Sequence, residues 1–270
     1  MKKKNSIVQQ RKKVKFDNKH LNDPKIKKVY LTFKKQLYSQ IKNEKFCIGV
    51  SGGPDSLALA FLSKIFSKKF NSKFVALIID HNLRKQSGIE ARKVKKILTK
   101  HKIKAKILTW KGKIPKSNIQ LNARNIRYFL LKKECDKLNI KNLVLAHHES
   151  DLVENFFIRL FRGSGLKGLS SLNIKRYSES NILNLIRPLI NTKKDELIYI
   201  SKKVFKFYLT DPSNFEEKFL RTRIRNYLDK FKLDGLDINK IKLTLSNLRS
   251  ANESINFYKE KSIKNHVRYL

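Results

Sequence analysis

The chain has 270 residues, enough to bury an ordinary core, and fits one large α/β domain with a smaller appendage better than two equal domains. Its 62 lysines and arginines against 22 acidic residues leave a formal charge of +40, which calls for a strongly negative partner, nucleic acid first; a Lys-, Asn- and Ile-heavy vocabulary is the bland source of the same excess. Two cysteines without paired spacing, Cys47 and Cys135, argue against a disulfide framework or a zinc or iron–sulfur centre, and no window approaches the roughly 18 apolar residues of a membrane span, so the expectation is a cytoplasmic protein with no membrane association.

Residues 1–22 are polar and basic with almost no apolar periodicity, the pattern of a flexible arm that touches phosphates or of a tail without a role. They have the positive charge of a signal peptide's opening but lack the apolar stretch that follows it. Asp23 and Pro24 read as the N-cap and first residue of a helix whose Ile26, Tyr30, Phe33 and Leu37 share one face. Apolar runs at 46–50, 74–79, 105–110 and 142–146 then read as strands buried on both faces, with helical patterns between them, the alternation of a parallel sheet covered by helices. Ser87 with Glu90 and Ser117 with Gln120 have capping-box spacing and place helix starts after the second and third strands. The crossovers should be right-handed and the ligand site should lie at the carboxyl ends of the strands. After about residue 163 the alternation weakens into irregular apolar pieces and a helix that Thr192 can cap, and residues 215–270 read as helical and heavily charged.

The first strand runs directly into Ser51-Gly52-Gly53-Pro54-Asp55-Ser56, and Leu57, Phe61 and Ile65 continue with helical spacing. Strand, tight loop and helix start together cradle an anion: two glycines let the backbone come close, and the first helical turn has unpaired N–H groups. Pyrophosphate suits that cradle. The hydroxyls of Ser51 and Ser56 are candidate donors, and the Asp55 carboxylate, which would repel phosphate alone, is a candidate Mg²⁺ ligand. The Lys-Ser/Thr ending of the kinase and GTPase loop is missing. An ordinary tight turn is the bland alternative for the first three residues.

SGGPDS resembles the signature of the PP-loop ATP pyrophosphatase superfamily, and further segments are similar to the tRNA(Ile)-lysidine synthetase family within it. These are Asp80-His81-Asn82-Leu83-Arg84 after the second strand, Ala123-Arg124-Asn125-Ile126-Arg127-Tyr128 on a helix, and the block from Ala146-His147-His148 through Asp151, Glu154, Arg159, Arg162 and Lys167 to Leu169. Arg187-Pro188-Leu189, Asp211-Pro212-Ser213-Asn214 and Arg221 to Arg225 complete it, so the resemblance covers about residues 46–230. Gln120 near a position where the family has Glu, Ser150 for Asp, Asn155 for Thr and Thr222 for Asn are departures.

The resemblance implies an α/β fold with a parallel five-stranded sheet and helices on both faces, of adenine nucleotide alpha hydrolase-like type, plus a small helical C-terminal region. It divides the chain into a basic arm (1–22), a catalytic domain (23–214) and a tRNA-contacting helical region (215–270). The implied reaction is ATP-dependent adenylation of the cytidine at the first anticodon position of a tRNA(Ile) with a CAU anticodon, followed by attack of free L-lysine and release of AMP; a homodimer is the favoured state. On that basis Ser51, Gly52, Gly53, Pro54, Asp55, Ser56, Asp80 and His81 are assigned to ATP, Asp55 and Asp151 to Mg²⁺, and Arg124 to the α-phosphate. Asp151 and Glu154 serve the lysine ammonium or the metal, and Arg159, Arg162, Lys167, Arg221 and Arg225 grip the tRNA. Read alone, an acidic first turn complements a helix dipole and the loop at Asp80 suits a cap. A tRNA 2-thiolation enzyme and a non-catalytic RNA-binding module are the competing readings.

Overall fold

The computed structural model describes residues 19–82, 86–113, 117, 119–170, 172, 175–177, 183–210 and 220–266. Most of the basic arm, Leu83 and Arg84, Asp211 to Asn214 and the side chain of Gln120 lie outside the described set.

After a short 3-10 turn, α1 (Pro24–Ile41) opens as its sequence dictates: the Asp23 side chain accepts hydrogen bonds from the backbone N–H groups of Lys25 and Ile26, and Pro24 needs no donor partner. β1 (Phe46–Val50), α2 (Pro54–Lys69), β2 (Phe74–Asp80), α3 (Ser87–Lys100), β3 (Ala105–Thr109), α4 (Ile119–Lys137) and β4 (Asn142–Val144) follow. Next come α5 (Glu149–Leu160), the single turn α6 (Leu166–Leu169), β5 (Lys175–Tyr177), β6 (Asn184–Ile186), α7 (Lys194–Phe205), α8 (Leu220–Leu233) and α9 (Ile238–His266).

The sheet order is β3-β2-β1-β4-β6-β5. Five strands are parallel, as expected, and β5 joins the edge antiparallel to β6. Because strand residues alternate between faces, Phe46, Ile48 and Val50 of β1 enter one apolar cluster with α1, α2 and α7, while Cys47 enters a second with Leu131 and Cys135 of α4. Burial on both faces explains why the strands read as continuous apolar runs. The chain moves outward through β2 and β3 on one side of β1 and restarts at β4 on the other, so the loops after β1 and β4 diverge and open a crevice at the carboxyl edge.

Three expected caps are built differently. Ser87 lies inside α3 behind the N-cap Gln86, and its hydroxyl donates to Asp80 Oδ1 at 2.7 Å. α4 starts at Ile119, with Ser117 lending its carbonyl to Asn122 Nδ2. Lys193, one residue after Thr192, caps α7, and its backbone N–H donates to Glu196. A third apolar cluster, built from Leu152, Val153, Ile190, Ile224, Leu228, Ile241 and Leu245, fastens α8 and the first turns of α9 to α5.

Candidate active site

The loop after β1 is shaped by one side chain. Ser56 is buried, and its Oγ accepts from the backbone N–H of Ser51 (3.2 Å), from that of Gly52 (3.1 Å) and from the Ser51 hydroxyl (3.3 Å), while donating to the Gly53 carbonyl (2.9 Å). The Ser56 hydroxyl, a candidate donor to a ligand, is engaged here with Ser51, Gly52 and Gly53 inside the loop and sets its curvature. Gly52 sits at φ +88°, and a Cβ there would lie 2.5 Å from Val94 Cγ2 and 2.8 Å from Leu209 Cδ1. The N–H of Leu209 ties down the Gly52 carbonyl at 2.9 Å. The α2 ladder begins with Leu57 N–H to Gly53 carbonyl, so the amides of Asp55 and Ser56 precede the first helical bond and stand at the positive end of the helix.

Across the crevice, the chain leaving β4 enters α5 with His148 as N-cap, and the His148 N–H donates to Asp151 Oδ2 at 3.0 Å. The imidazole Nε2 of His148 lies 3.5 Å from Asp55 Oδ2 and 3.6 Å from Asp151 Oδ2, which joins the phosphate loop to the acidic helix. Asp151 and Glu154 are thus brought to the same edge as Ser51 to Ser56. They are not open carboxylates. Arg221 pairs with Asp151 through Nη2 and with Glu154 through Nε at 2.5 Å, and Arg225 Nε meets Glu154 Oε1, also at 2.5 Å. Glu154 is only 2 % exposed, so these arginines supply the compensation a buried carboxylate requires. The Arg221 and Arg225 guanidinium groups, expected to face tRNA, close an internal network in this structure.

The electrostatics follow from this packing. Burial acts to raise the Asp151 carboxyl, but the charges of His148 and Arg221, then His147 and the His148 N–H, outweigh it and hold the group at about 2. Burial likewise acts to lower His148, and the Asp55 contact with the Asp151, Asp55 and Glu154 charges overcomes it, leaving this imidazole above its ordinary value. His147 goes the other way. Burial drives it down to about 3, against the pull of Asp151 and with help from Arg187, Arg221 and Arg124. Buried Arg187 donates through Nε to His147 Nδ1 at 3.2 Å, so neutral His147 has its proton on Nε2 and offers a donor. Sequence motifs alone assign no role to His148 or Arg187; adjacent histidines at a strand end are the available signal, and Arg187 gives none beyond the resemblance.

The remaining candidates are spread around this centre. Asp80 is buried, and its Oδ1 accepts from the Asn82 N–H and the Ser87 hydroxyl, which makes it the cap of its own loop; His81 stands beside it, partly buried. Arg124 is exposed, lies over the Tyr128 ring at 5.1 Å and is near enough for its charge to depress His147. Arg162 and Lys167 are exposed beyond α5, and Arg159, in the last turn of that helix, is partly buried.

A model of the PP-loop domain matches residues 26–231, from α1 through most of α8. The chain belongs to the PP-loop domain family. A tRNA(Ile)-lysidine synthase of Orientia tsutsugamushi is 41 % identical over 224 residues, covering 80 % of this chain and 50 % of the relative. Those of Bradyrhizobium diazoefficiens (32 % over 224 residues, 82 % and 62 %) and Rickettsia conorii (42 % over 187 residues, 69 % and 38 %) are also similar. The chain spans about half the length of these relatives. Among solved structures, the U34-tRNA thiolase NcsA of Methanococcus maripaludis shares the fold, with a TM-score of 0.69, 20 % identity and coverage of 86 % of this chain and 79 % of that one.

PP-loop membership implies ATP, and a divalent cation travels with it. Asp55 fits a cation: its Oδ2 faces His148, and its Oδ1 is buried without a hydrogen-bond partner. Asp151 does not fit as a ligand, because both its oxygens are already engaged, Oδ1 by Arg221 and Oδ2 by His148. Among the described residues no group of three or more His, Cys, Asp or Glu can hold a metal ion. A Mg²⁺ ion at the PP-loop would accordingly take most of its oxygens from phosphate and water, its usual habit.

Proposed function

We propose that this chain is the catalytic part of a tRNA(Ile)-lysidine synthase, which adenylates the anticodon-first cytidine of tRNA(Ile) with a CAU anticodon and joins free L-lysine to it. The observation that supports this reading most is the meeting of the PP-loop and the Asp151/Glu154 block at one crevice, through His148, in a chain whose similar relatives carry that name.

Ser51, Gly52, Gly53 and the first-turn amides of α2 bind the β- and γ-phosphates, Pro54 starts the helix that aims those amides, and Arg124 balances charge on the α-phosphate. Asp55 holds Mg²⁺, which, when bound, neutralises the phosphate oxygens. The cytidine O2 attacks the α-phosphorus and the α–β bridging bond breaks, releasing pyrophosphate; the lysine ε-ammonium gives up a proton to water, the amine attacks C2, and the C2–O bond breaks to release AMP as the new C–N nitrogen loses its second proton to water. His147, neutral with Nδ1 occupied, donates a hydrogen bond and is no base. Asp151 and Glu154 would receive the lysine ammonium by exchanging their contacts with Arg221 and Arg225 for it. Holding four partners in place supplies most of the acceleration in such a reaction. Arg162, Lys167 and the basic helices after residue 215 contact the tRNA backbone, and the proposal extends to a cytoplasmic homodimer.

The chain's two cysteines weigh against tRNA thiolation. Both are fully buried, in β1 and α4, and contact with Cys47 together with burial pushes the Cys135 thiol up, away from the nucleophilic thiolate. The test is incubation with ATP, Mg²⁺, lysine and bulk tRNA, followed by mass spectrometry of the nucleosides. Lysine-modified cytidine, with pyrophosphate release that requires both lysine and tRNA, is expected. Pyrophosphate release with neither, or a sulfur-bearing nucleoside when a sulfur donor is added, would overturn the reading.

A further inference from the structure

We propose that His148 is a positioning residue that clamps Asp55 of the PP-loop to the start of α5, so that one Asp55 oxygen is fixed and the other is presented to the cation accompanying a nucleotide. The inference rests on the reading of the loop as an ATP site. Three observations lead to it. The His148 side chain is 4 % exposed and its Nε2 lies almost equidistant from two carboxylates that come from different elements, 3.5 Å from Asp55 and 3.6 Å from Asp151. The backbone that carries the ring is tied down, its N–H bonded to Asp151 Oδ2 and Asp151 itself gripped by Arg221, and burial leaves the ring little room to turn. Finally, His148 Nδ1 and Asp55 Oδ1 are both buried without hydrogen-bond partners, so the ring acts at Nε2 and the Asp55 carboxylate is left with one unsatisfied oxygen.

Two carboxylates converging on one buried point repel each other unless a donor separates them. Asp55 sits in the first turn of α2, on a loop otherwise held by backbone and hydroxyl bonds, and a χ rotation would swing it into the crevice against incoming phosphate. His148 removes that freedom. The imidazole stands on the rigid side of the crevice, on the helix that α8 braces, and holds the acid on the PP-loop side in one rotamer.

The decisive experiment is a double-mutant cycle of His148→Leu and Asp55→Asn, read twice. In the ligand-free protein, thermal unfolding should show non-additive shifts, the double variant losing no more than the worse single one. In direct calorimetric binding of Mg-ATP without tRNA or lysine, His148→Leu should weaken affinity about tenfold where Asp55 is present and by less than about twofold where it is Asn. His148→Gln, whose side-chain amide reaches the same point with two donors, should stay within about threefold of the wild type, a rescue that a merely space-filling role would not give. Additive unfolding shifts, undiminished Mg-ATP affinity in His148→Leu, or a His148→Gln variant as weak as His148→Leu would overturn the proposal. Should His148→Leu fail to fold, His148→Asn, whose amide stops short of Asp55, takes its place in the cycle. If the wild type itself binds no Mg-ATP, the nucleotide reading falls, while the ligand-free cycle still decides whether His148 holds Asp55.

Discussion

The two walls of the crevice are built from different materials. On one side, the loop from Ser51 to Ser56 is held by backbone bonds to a single hydroxyl, by a left-handed glycine and by apolar neighbours Val94 and Leu209. On the other, α5 and α8 are joined by charge, Asp151 and Glu154 against Arg221 and Arg225, with Glu149 and Lys242 a pair farther out, all seated on an apolar cluster. A site half made of backbone geometry fails when an atom is added. A half made of ionised side chains fails when a charge is removed or titrated, and the two halves can be broken separately.

The largest effect is expected at Gly52. Gly52→Val forces a β-branched residue to φ +88° and drives its Cβ into Val94 and Leu209, so a loss of about 4 kcal/mol in urea unfolding is expected from strain and overpacking together. Gly163 is the control. It also has positive φ, +63°, but nothing lies within 4 Å of its Cβ position, and Gly163→Ala should cost only about 1 kcal/mol. Equal losses at the two glycines would show that close packing around the loop is not what selects Gly52.

On the charged wall, Glu154→Gln leaves Arg221 and Arg225 facing a neutral amide where a 2 % exposed carboxylate had received them both. Breaking a buried pair from one side costs roughly 3 kcal/mol, reduced here because Arg221 and Arg225 are partly exposed, so about 2 kcal/mol is expected. Urea unfolding of Glu154→Gln beside Arg225→Met and the double variant checks it: strong non-additivity is expected, and additive losses would mean the network is ornamental.

This asymmetry also explains what could be read in advance. The loop is local: Ser51 to Ser56, the strand before it and the helix after it are contiguous, and β-strand burial on both faces writes itself as an apolar run. The α5–α8 network joins residues about seventy positions apart, and nothing in the spacing of Arg221 and Arg225 distinguishes a guanidinium aimed at Glu154 from one aimed at a phosphate. In a chain of charge +40, an arginine is read as an RNA contact by default, and the few internal ion pairs are hidden by the excess. Asp80 was legible in position and not in role, since its partner hydroxyl is seven residues away on the next helix. β6 leaves no pattern in the sequence, because Asn184–Ile186 is too short to show a period.

Proton concentration sharpens the comparison further, because the adjacent histidines titrate with opposite sign. His147 is lowered to about 3 from 6.5, so the unfolded chain binds more protons between those values and stability falls as pH is lowered through that window. His148 is raised, so its contribution is complete below about 6.5 and is lost as pH rises through its folded value. Asp151 adds stability above about 4 that disappears as pH falls towards 2. The wild type should therefore lose about 2 kcal/mol between pH 6.5 and 4 through His147, a figure discounted for its partial exposure, and His147→Gln should flatten that slope. Urea midpoints at pH 4, 5, 6 and 7 measure it; parallel curves for variant and wild type would place the acid sensitivity elsewhere.

The smallest effect on the fold belongs to the rim. Arg162 and Lys167 are exposed, so Arg162→Ala with Lys167→Ala should change stability by less than about 0.5 kcal/mol. Their removal should act on tRNA instead: each phosphate left without its cation lowers the slope of log affinity against log salt by about 0.7 to 0.9, so the double variant should bind several-fold more weakly at low salt and show a slope shallower by about 1.5. Arg225→Met should do the reverse, lowering stability and leaving the salt slope unchanged, because its guanidinium lies on Glu154. Fluorescence anisotropy of labelled tRNA across a KCl series distinguishes the two. A shallower slope in Arg225→Met would return that arginine to the RNA, and would mean that α8 exchanges its carboxylate partners for phosphate when tRNA arrives.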